Sequence, residues 1–101
     1  RPTLAVALPK AGTNPPLERF VIGVHDSGTG LDAASFTVTA DFAVNGSPAG
    51  TNLGPKFAPL GGGVFELQLS APPSVARGTL TVSVKDKQGN VARVERTFGV
   101  K

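Results

Sequence analysis

Apolar residues alternate with polar or small residues along most of this chain, and glycine and proline interrupt the alternation at short intervals. Between positions 35 and 44 the larger apolar side chains occupy every second position. A period of two places them on one face of a β-strand, whereas a helix would distribute them around its circumference. No segment keeps an apolar period of 3.6 residues. The pattern therefore predicts short strands joined by turns, with almost no helix.

Seven alternating segments are separated by turn-forming residues, and we letter the predicted strands A to G in chain order. The expected ranges are 3–8 for A, 18–25 for B, 35–44 for C, a short C′ or D strand within 47–60, 64–70 for E, 79–85 for F and 91–100 for G. Short strands with regularly spaced turns predict an all-β fold, a seven-stranded antiparallel β-sandwich with Greek-key connections. An up-and-down barrel is the alternative, and the long 47–63 connection disfavours it.

Two motifs mark sharp reversals of the chain. Asn45-Gly46 follows the alternation of strand C, and both residues accept the positive φ of a type I′ turn. The glycine of the 86–90 segment supplies the left-handed residue of a type I turn followed by a bulge. The glycine-rich segments 28–30 and 61–63 lack the downstream Lys-Ser/Thr of a phosphate-binding loop, so we interpret them as turns.

One small core is expected, since a chain of this length suffices for one domain and not for two. Phe57 is expected to anchor the 47–63 loop. Arg96 shares the inward parity of its strand, so either a bulge shifts the register or its stem packs near an edge with the charged head in water. The side chains expected to be buried are Phe36, Phe42, Phe65, Phe98, Val38, Leu67 and Val82.

The composition excludes several classes of function. The chain has no Cys, Met, Trp or Tyr and a single His, which removes thiol chemistry, disulfides and Cys-based zinc sites. Apolar residues make up 40% and charged residues 17%, and no apolar run approaches the length of about 20 residues that a membrane span needs. Because residue 1 is not Met, we expect 1–101 to be a single domain excised from a longer protein.

Two segments carry a resemblance to a known family: His-Asp-Ser-Gly-Thr-Gly-Leu-Asp at 25–32 and Val-Ser-Val-Lys-Asp-Lys-Gln-Gly-Asn-Val-Ala at 82–92. They resemble the bacterial immunoglobulin-like (Ig-like) domains found in tandem in secreted and cell-surface proteins. The chain is also similar to fibronectin type III domains, although the aromatic signatures of strands B and F are missing. The resemblance implies an Ig-like sandwich, a secreted, periplasmic or cell-surface location, and a structural or adhesive module.

Acidic residues near two predicted loops are the candidate metal ligands. In such a sandwich the B–C and F–G loops leave from the same end, which we call the loop pole, so Asp26, Asp32, Asp86 and Asn90 are expected to approach one another. Their oxygens suit Ca²⁺, which takes six to eight such ligands. The competing interpretation, which we favour, is that these side chains cap their own turns. No other cofactor is expected.

Catalysis is not expected from this chain. His25 precedes Asp26, but adjacent strand positions face opposite sides of a sheet, so the two residues form no dyad. The basic residues near the F–G hairpin lack the aromatic platform of a nucleic-acid surface and are interpreted as protection of an exposed edge. These basic residues are Lys85, Lys87, Arg93 and Arg96, with Arg77 upstream.

The expected function is that of a non-catalytic Ig-like module of a larger exported bacterial protein. It would act as a spacer, a stabiliser or a docking unit for neighbouring domains of the same polypeptide. The alternative is an adhesion module that binds a protein or a glycan through the B–C, F–G and 47–63 loops. Neither nucleic-acid binding nor membrane insertion is expected.

Overall fold

The computed structural model describes residues 2–26, 30–73 and 75–100. Within these ranges the chain forms two four-stranded sheets, ordered β1-β3-β6-β5 and β2-β8-β7-β4. No helix of the described ranges is long and apolar enough to cross a membrane. The elements are β1 (Pro2–Leu8), β2 (Gly12–Asn14), β3 (Arg19–Asp26), β4 (Leu31–Ala40), a 3-10 turn (Gly54–Lys56), β5 (Ala58–Gly61), β6 (Val64–Gln68), β7 (Arg77–Asp86) and β8 (Val91–Val100).

The two sheets pack as a sandwich, which confirms the predicted all-β class. The described residues contain eight strands instead of the seven predicted. Predicted strands A, B, C, E, F and G correspond to β1, β3, β4, β6, β7 and β8. The short strand within the 47–63 segment is β5, and its pairing with β6 makes it a D strand.

The additional strand, β2, corrects the expectation that every pairing is antiparallel. β1 pairs with β3 in one sheet, whereas β2 lies parallel to β8 in the other, so the chain crosses between the sheets after Leu8. Asn14, which is only 3% exposed, fixes this crossing. Its Nδ2 donates to the carbonyls of Lys10 at 2.8 Å and Gly99 at 3.1 Å, and its Oδ1 accepts from the amide of Lys10 at 2.9 Å.

The boundaries of β4 also differ from the predicted 35–44. The strand begins at Leu31, and its register shifts before Thr37. In this irregular stretch the Ser35 hydroxyl donates to the carbonyl of Asp32 at 2.6 Å and accepts from the amide of Lys85 at 2.7 Å. A side-chain hydroxyl therefore replaces ladder hydrogen bonds there, and the period of two is lost before position 36.

Beyond Ala40 the chain leaves the sheet but stays close to the core. Phe42 and Val44 remain buried. The reversal predicted at Asn45-Gly46 is confirmed: the φ values are 51° and 82°, and Val44 and Ser47 exchange backbone hydrogen bonds of 2.9 and 2.8 Å. This turn closes a single bridge instead of a hairpin of two strands.

The buried side chains form one core between the sheets. Of the residues predicted to be buried, Phe36, Phe42, Phe98, Val38, Leu67 and Val82 are buried. The prediction is wrong for Phe65, which is only partly buried and packs against the rim of the core. It lies at the start of β6, close to the end of the sandwich, where fewer residues cover it.

The register of β7 and β8 is continuous, so no bulge accounts for Arg96, which faces Leu80 across the pair. Arg96 is half-buried, and its guanidinium donates to the carbonyl of Pro9 at 3.2 Å. Of the two interpretations the edge position is therefore correct, but the charged head bonds to the crossing segment between β1 and β2 instead of lying only in water.

Candidate functional site

The loop pole is formed by the end of β3, the start of β4 and the turn between β7 and β8. Leu31 pairs with Asp86, and the amide of Lys87 donates to the carbonyl of Gly30 at 3.1 Å. The β3–β4 and β7–β8 connections therefore meet at one end of the sandwich. This is the arrangement on which the candidate calcium site depends.

Asp86 is 2% exposed and lies at the centre of the β7–β8 turn. Its Oδ1 accepts from the amides of Gln88 and Asn90, each at 2.9 Å, and its Oδ2 accepts from Nδ2 of Asn90 at 2.8 Å. Gly89 has a φ of 89°, as predicted for the left-handed residue of this turn. The Asn90 side chain, with the two backbone amides, outweighs burial and lowers the pKa of Asp86. Asp86 therefore organises the turn as an anion.

The other two aspartates also accept hydrogen bonds from nearby backbone. Asp26 Oδ2 accepts from the amide of Gly30 at 2.7 Å, and Asp32 Oδ1 accepts from the amide of Ala34 at 3.2 Å. In residues 2–26, 30–73 and 75–100, no three His, Cys, Asp or Glu side chains come together as a metal-binding group. Calcium binding by Asp26, Asp32, Asp86 and Asn90 stays a prediction, while these contacts are those of turn-capping side chains.

Part of the predicted B–C loop, Ser27 to Thr29, lies outside the described residues. This includes most of the 28–30 turn and part of the 25–32 segment that carries the family resemblance. His25 is exposed near the end of β3, while Asp26 has the opposite parity on that strand. The expected orientation of these two side chains is thus observed.

A small apolar groove opens at the loop pole between the two sheets. Its volume is about 220 Å³, below the roughly 300 Å³ at which pockets for drug-sized ligands begin. The Phe36 ring contacts Phe57 edge-on at 5.6 Å and Phe65 at 5.2 Å. Phe57 is buried, so its predicted role as a loop anchor is confirmed. The lining residues are Val24, Leu31, Phe36, Gly54, Pro55, Phe57, Phe65 and Val84.

The sequence pattern does not reveal this groove, because the period of two places both Phe36 and Phe65 in a closed core. The sequence feature that indicates the groove is the aromatic residue Phe57 next to Gly54-Pro55 in an otherwise irregular segment. Gly54 sits so close to the backbone carbonyl of Phe36 that a Cβ at this position would clash with it. An apolar side chain of a partner suits such a groove better than a polar or charged one.

The basic residues predicted near the F–G hairpin are not all at one place. Arg77 begins β7 opposite Gly99, at the other end of the sandwich, which we call the distal pole. Arg93 forms an exposed ion pair with Glu95, with 3.3 Å between Nη2 and Oε2. The described residues thus contain no continuous basic stripe along β7 and β8.

No protein-family model matches this chain, and no curated protein sequence matches it either. Solved structures do resemble it. An endo-β-1,4-mannanase from Thermotoga petrophila matches with a TM-score of 0.70 and 15% identity, over 100% of this chain and 20% of that chain. PcoC, a methionine-rich copper resistance protein from Escherichia coli, matches with a TM-score of 0.69 and 14% identity, over 99% of this chain and 98% of that chain.

CopC from Methylosinus trichosporium OB3b matches with a TM-score of 0.65 and 9% identity, over 100% of this chain and 94% of that chain. The chain therefore spans a fifth of the mannanase but nearly the whole of PcoC and CopC. At these identities the likeness concerns the fold alone. The chain is a small all-β sandwich domain of the kind found in these three proteins.

Proposed function

We propose that this chain is a non-catalytic, Ig-like structural module of a larger exported bacterial protein, serving as a spacer and docking unit for neighbouring domains. The observation that carries the proposal is the position of its first and last strands. Pro2 pairs with Asp26 at the loop pole, while Val100 bonds to Ala76 at the distal pole. The domain is 40 Å long and 23 by 21 Å across. A chain that enters at one end and leaves at the other separates its neighbours by the full length.

The likeness to the mannanase supports a modular role. All of this chain corresponds to one fifth of that longer enzyme, so a sandwich of this kind occurs as one part of a larger polypeptide. The aspartates at the loop pole support a structural role as well, because their carboxylates accept hydrogen bonds within the turns. An exported location is part of the same proposal and follows the family resemblance.

Copper binding, which the description of PcoC raises, does not suit this chain. Copper sites built on soft ligands use methionine and cysteine sulfur, to which histidine nitrogen can be added. This sequence has no Met, no Cys and only His25. The sequence therefore lacks the sulfur ligands of such a site, and we propose no copper chemistry for the domain.

A replacement experiment tests the spacer role. In the protein that contains this chain, residues 2–100 are replaced by an unrelated β-sandwich of similar length with its ends at opposite poles, or are deleted. The replacement is expected to retain the activity of the flanking domains, whereas the deletion is expected to reduce it. Loss of activity in the replacement would overturn the spacer role and favour specific recognition by this surface.

The groove at the loop pole supports the alternative of a ligand-binding module. Pro55 lines the groove and Lys87 lies in the adjacent turn, and both are exposed. A double variant, Pro55→Ser with Lys87→Ala, is expected to keep the fold. A spacer tolerates these changes, while a module that binds a protein through this pole loses affinity for it. A glycan is less suited, because Trp and Tyr, the usual stacking platforms, are missing from the sequence.

The proposed lack of catalysis has its own test. The isolated domain is incubated with a panel of ester, peptide and glycoside substrates, beside the His25→Ala variant. No turnover above the buffer rate is expected from either protein. Turnover that the substitution removes would assign a catalytic role to His25 and contradict the proposal.

A further inference from the structure

The β8 strand has an open edge. On one side it pairs with β7 along its whole length. On the other side β2 pairs only with Phe98, Gly99 and Val100. In the described part of the chain, no strand pairs with the outer side of 91–97. The outward backbone groups of this segment therefore have no strand partner in the described ranges, although Arg96 reaches over to the carbonyl of Pro9.

The hydrogen bonds between β7 and β8 show which backbone groups of β8 face outward. The amide of Val100 donates to Ala76 and the carbonyl of Asn90 accepts from Asp86, so even-numbered residues of β8 point their backbone groups toward β7. In an antiparallel ladder this orientation alternates from residue to residue. The N–H and C=O groups of Arg93 and Glu95 therefore point away from the sheet, toward the open edge.

Two side chains of opposite charge lie at equal distances on either side of Val94 along this edge. Arg93 and Glu95 flank it with opposite charges; their side chains pair with each other at 3.3 Å within the strand and are 59% and 56% exposed, so each remains accessible to a second partner. Their neighbours across the ladder on β7, Ser83 and Thr81, are uncharged. When the strand pairs antiparallel with an identical strand about Val94, each Arg93 lies opposite Glu95 of the second copy.

Antiparallel pairings centred on the residues next to Val94 bring like charges together and are less favourable than the pairing centred on Val94. Centring the pair on residue 93 places Arg93 opposite Arg93 of the second copy, and centring it on residue 95 places the two Glu95 side chains opposite each other. Directly opposed like charges destabilise a strand pair, whereas opposite charges stabilise it. The register centred on Val94 is also the centre of the open 91–97 segment.

We propose that the open edge of β8 binds the same edge of a second copy of this chain, antiparallel and centred on Val94. Four backbone hydrogen bonds form between Arg93 and Glu95 of the two copies, together with two cross-strand ion pairs. Val91, one of the exposed large apolar side chains at 56% exposure, packs near Thr97 of the second copy. The contact involves one strand from each copy, so it belongs to the small, weak class of interfaces.

This pairing gives the charges on the edge of β8 a second role beside protection of the edge. Charges of one sign on an exposed strand keep other strands away. Alternating charges reject most strands but match an antiparallel copy of themselves. The proposal goes beyond the spacer role and does not depend on it, because it concerns the chain's contact with itself.

Sedimentation equilibrium of the parent chain, at concentrations up to about 1 mM, is expected to show a monomer–dimer equilibrium. Glu95→Arg and Arg93→Glu each place like charges opposite each other, and each is expected to weaken the dimer about tenfold. The combined variant Arg93→Glu with Glu95→Arg restores both pairs and is expected to dimerise as the parent does. An equimolar mixture of the two single variants forms a heterodimer, since each supplies the charge that the other lacks.

A backbone variant tests the edge itself. Glu95→Pro removes an outward N–H without removing a bond to β7, so the domain is expected to fold and remain monomeric. Melting curves and circular dichroism verify the fold of each variant. If Glu95→Pro unfolds, Glu95→Gln, which only removes the charge, is expected to weaken the dimer. A monomeric parent at about 1 mM, or single variants that dimerise as strongly as the parent, would overturn the proposal.

Discussion

Gly78 on β7 offers a sharp test of how the core is packed. It is buried opposite Phe98. A Cβ at this position would lie 2.5 Å from Cε1 and 2.7 Å from Cδ1 of Phe42, and 3.3 Å from Cζ of Phe98. The Phe42 ring is held edge-on by Phe20 at 6.5 Å and by Phe98 at 5.7 Å, so it has little room to move away. We therefore predict that Gly78→Ala destabilises the fold.

Two effects of opposite sign determine the size of the change. Replacing glycine with alanine at a compatible backbone position stabilises a protein by about 0.4–1 kcal/mol through the unfolded state. Inserting a methyl group into a filled core costs about 1–3 kcal/mol. The net loss for Gly78→Ala is then about 1–2 kcal/mol, which lowers the Tm of a domain of this size by about 5–15 °C.

Urea denaturation and thermal melts measure this change, with Gly23→Ala as the matched control. Gly23 also lies in a strand, but the nearest atom to its Cβ position is the carbonyl oxygen of Ala5 at 3.9 Å, an ordinary contact. The control is expected to be neutral or slightly stabilising. Phe42→Leu should offset part of the Gly78→Ala loss in the double variant. A Gly78→Ala protein as stable as the control would refute this account of the core.

The remaining predictions concern the rim, the turn and the sheet crossing. Phe36→Ala is expected to cost about 3 kcal/mol of unfolding free energy in urea titrations, and Phe65→Ala less, because Phe36 belongs to the buried core and Phe65 only packs against it; equal losses would contradict the rim position of Phe65. The pKa of Asp86 is lower folded than unfolded, so its stabilisation is present above about pH 4 and is lost as pH falls through the folded pKa; Asp86→Asn should flatten the acid side of the stability curve. Added calcium is expected to leave the Tm unchanged, and a rise of several degrees that Asp86→Asn removes would establish the metal site instead. Asn14→Ala should cost about 1–3 kcal/mol by chemical denaturation, since it leaves part-buried backbone groups of Lys10 and Gly99 without their side-chain partner; a neutral result would remove its role in the crossing.

The sequence predicts those elements whose cause is local. Asn45-Gly46 and the 86–90 turn each contain the residues that their positive φ values require, and both turns form as predicted. Strands β3 and β7 bury alternate side chains and β8 alternates exposed with partly buried ones, so the period of two identifies all three within about two residues at each end. In these places the local pattern and the tertiary packing favour the same structure.

The structure differs from the sequence-based prediction where contacts between residues far apart in the chain determine the local structure. β2 is three residues long, and its pairing with β8 depends on the Asn14 side chain reaching Gly99, which no local period reveals. The early start of β4 depends on the Ser35 hydroxyl bonding to Lys85. Phe65 alternates like a core residue but lies near an open end of the sandwich. Its parity fixes the face of the sheet but not how far along the core it lies.

The placement of the two strand ends also determines how the domain would respond to tension. A force applied through both ends pulls β2 toward the loop pole and β8 toward the distal pole, along opposite directions of one parallel pair. The hydrogen bonds that join these strands then share the load in shear, instead of opening one after another as in a peeled hairpin. Asn14 adds a further bond to Gly99 across the same junction. A module strung between two neighbours would thus oppose extension along β1, which is paired with β3, and along the short parallel pair of β2 and β8.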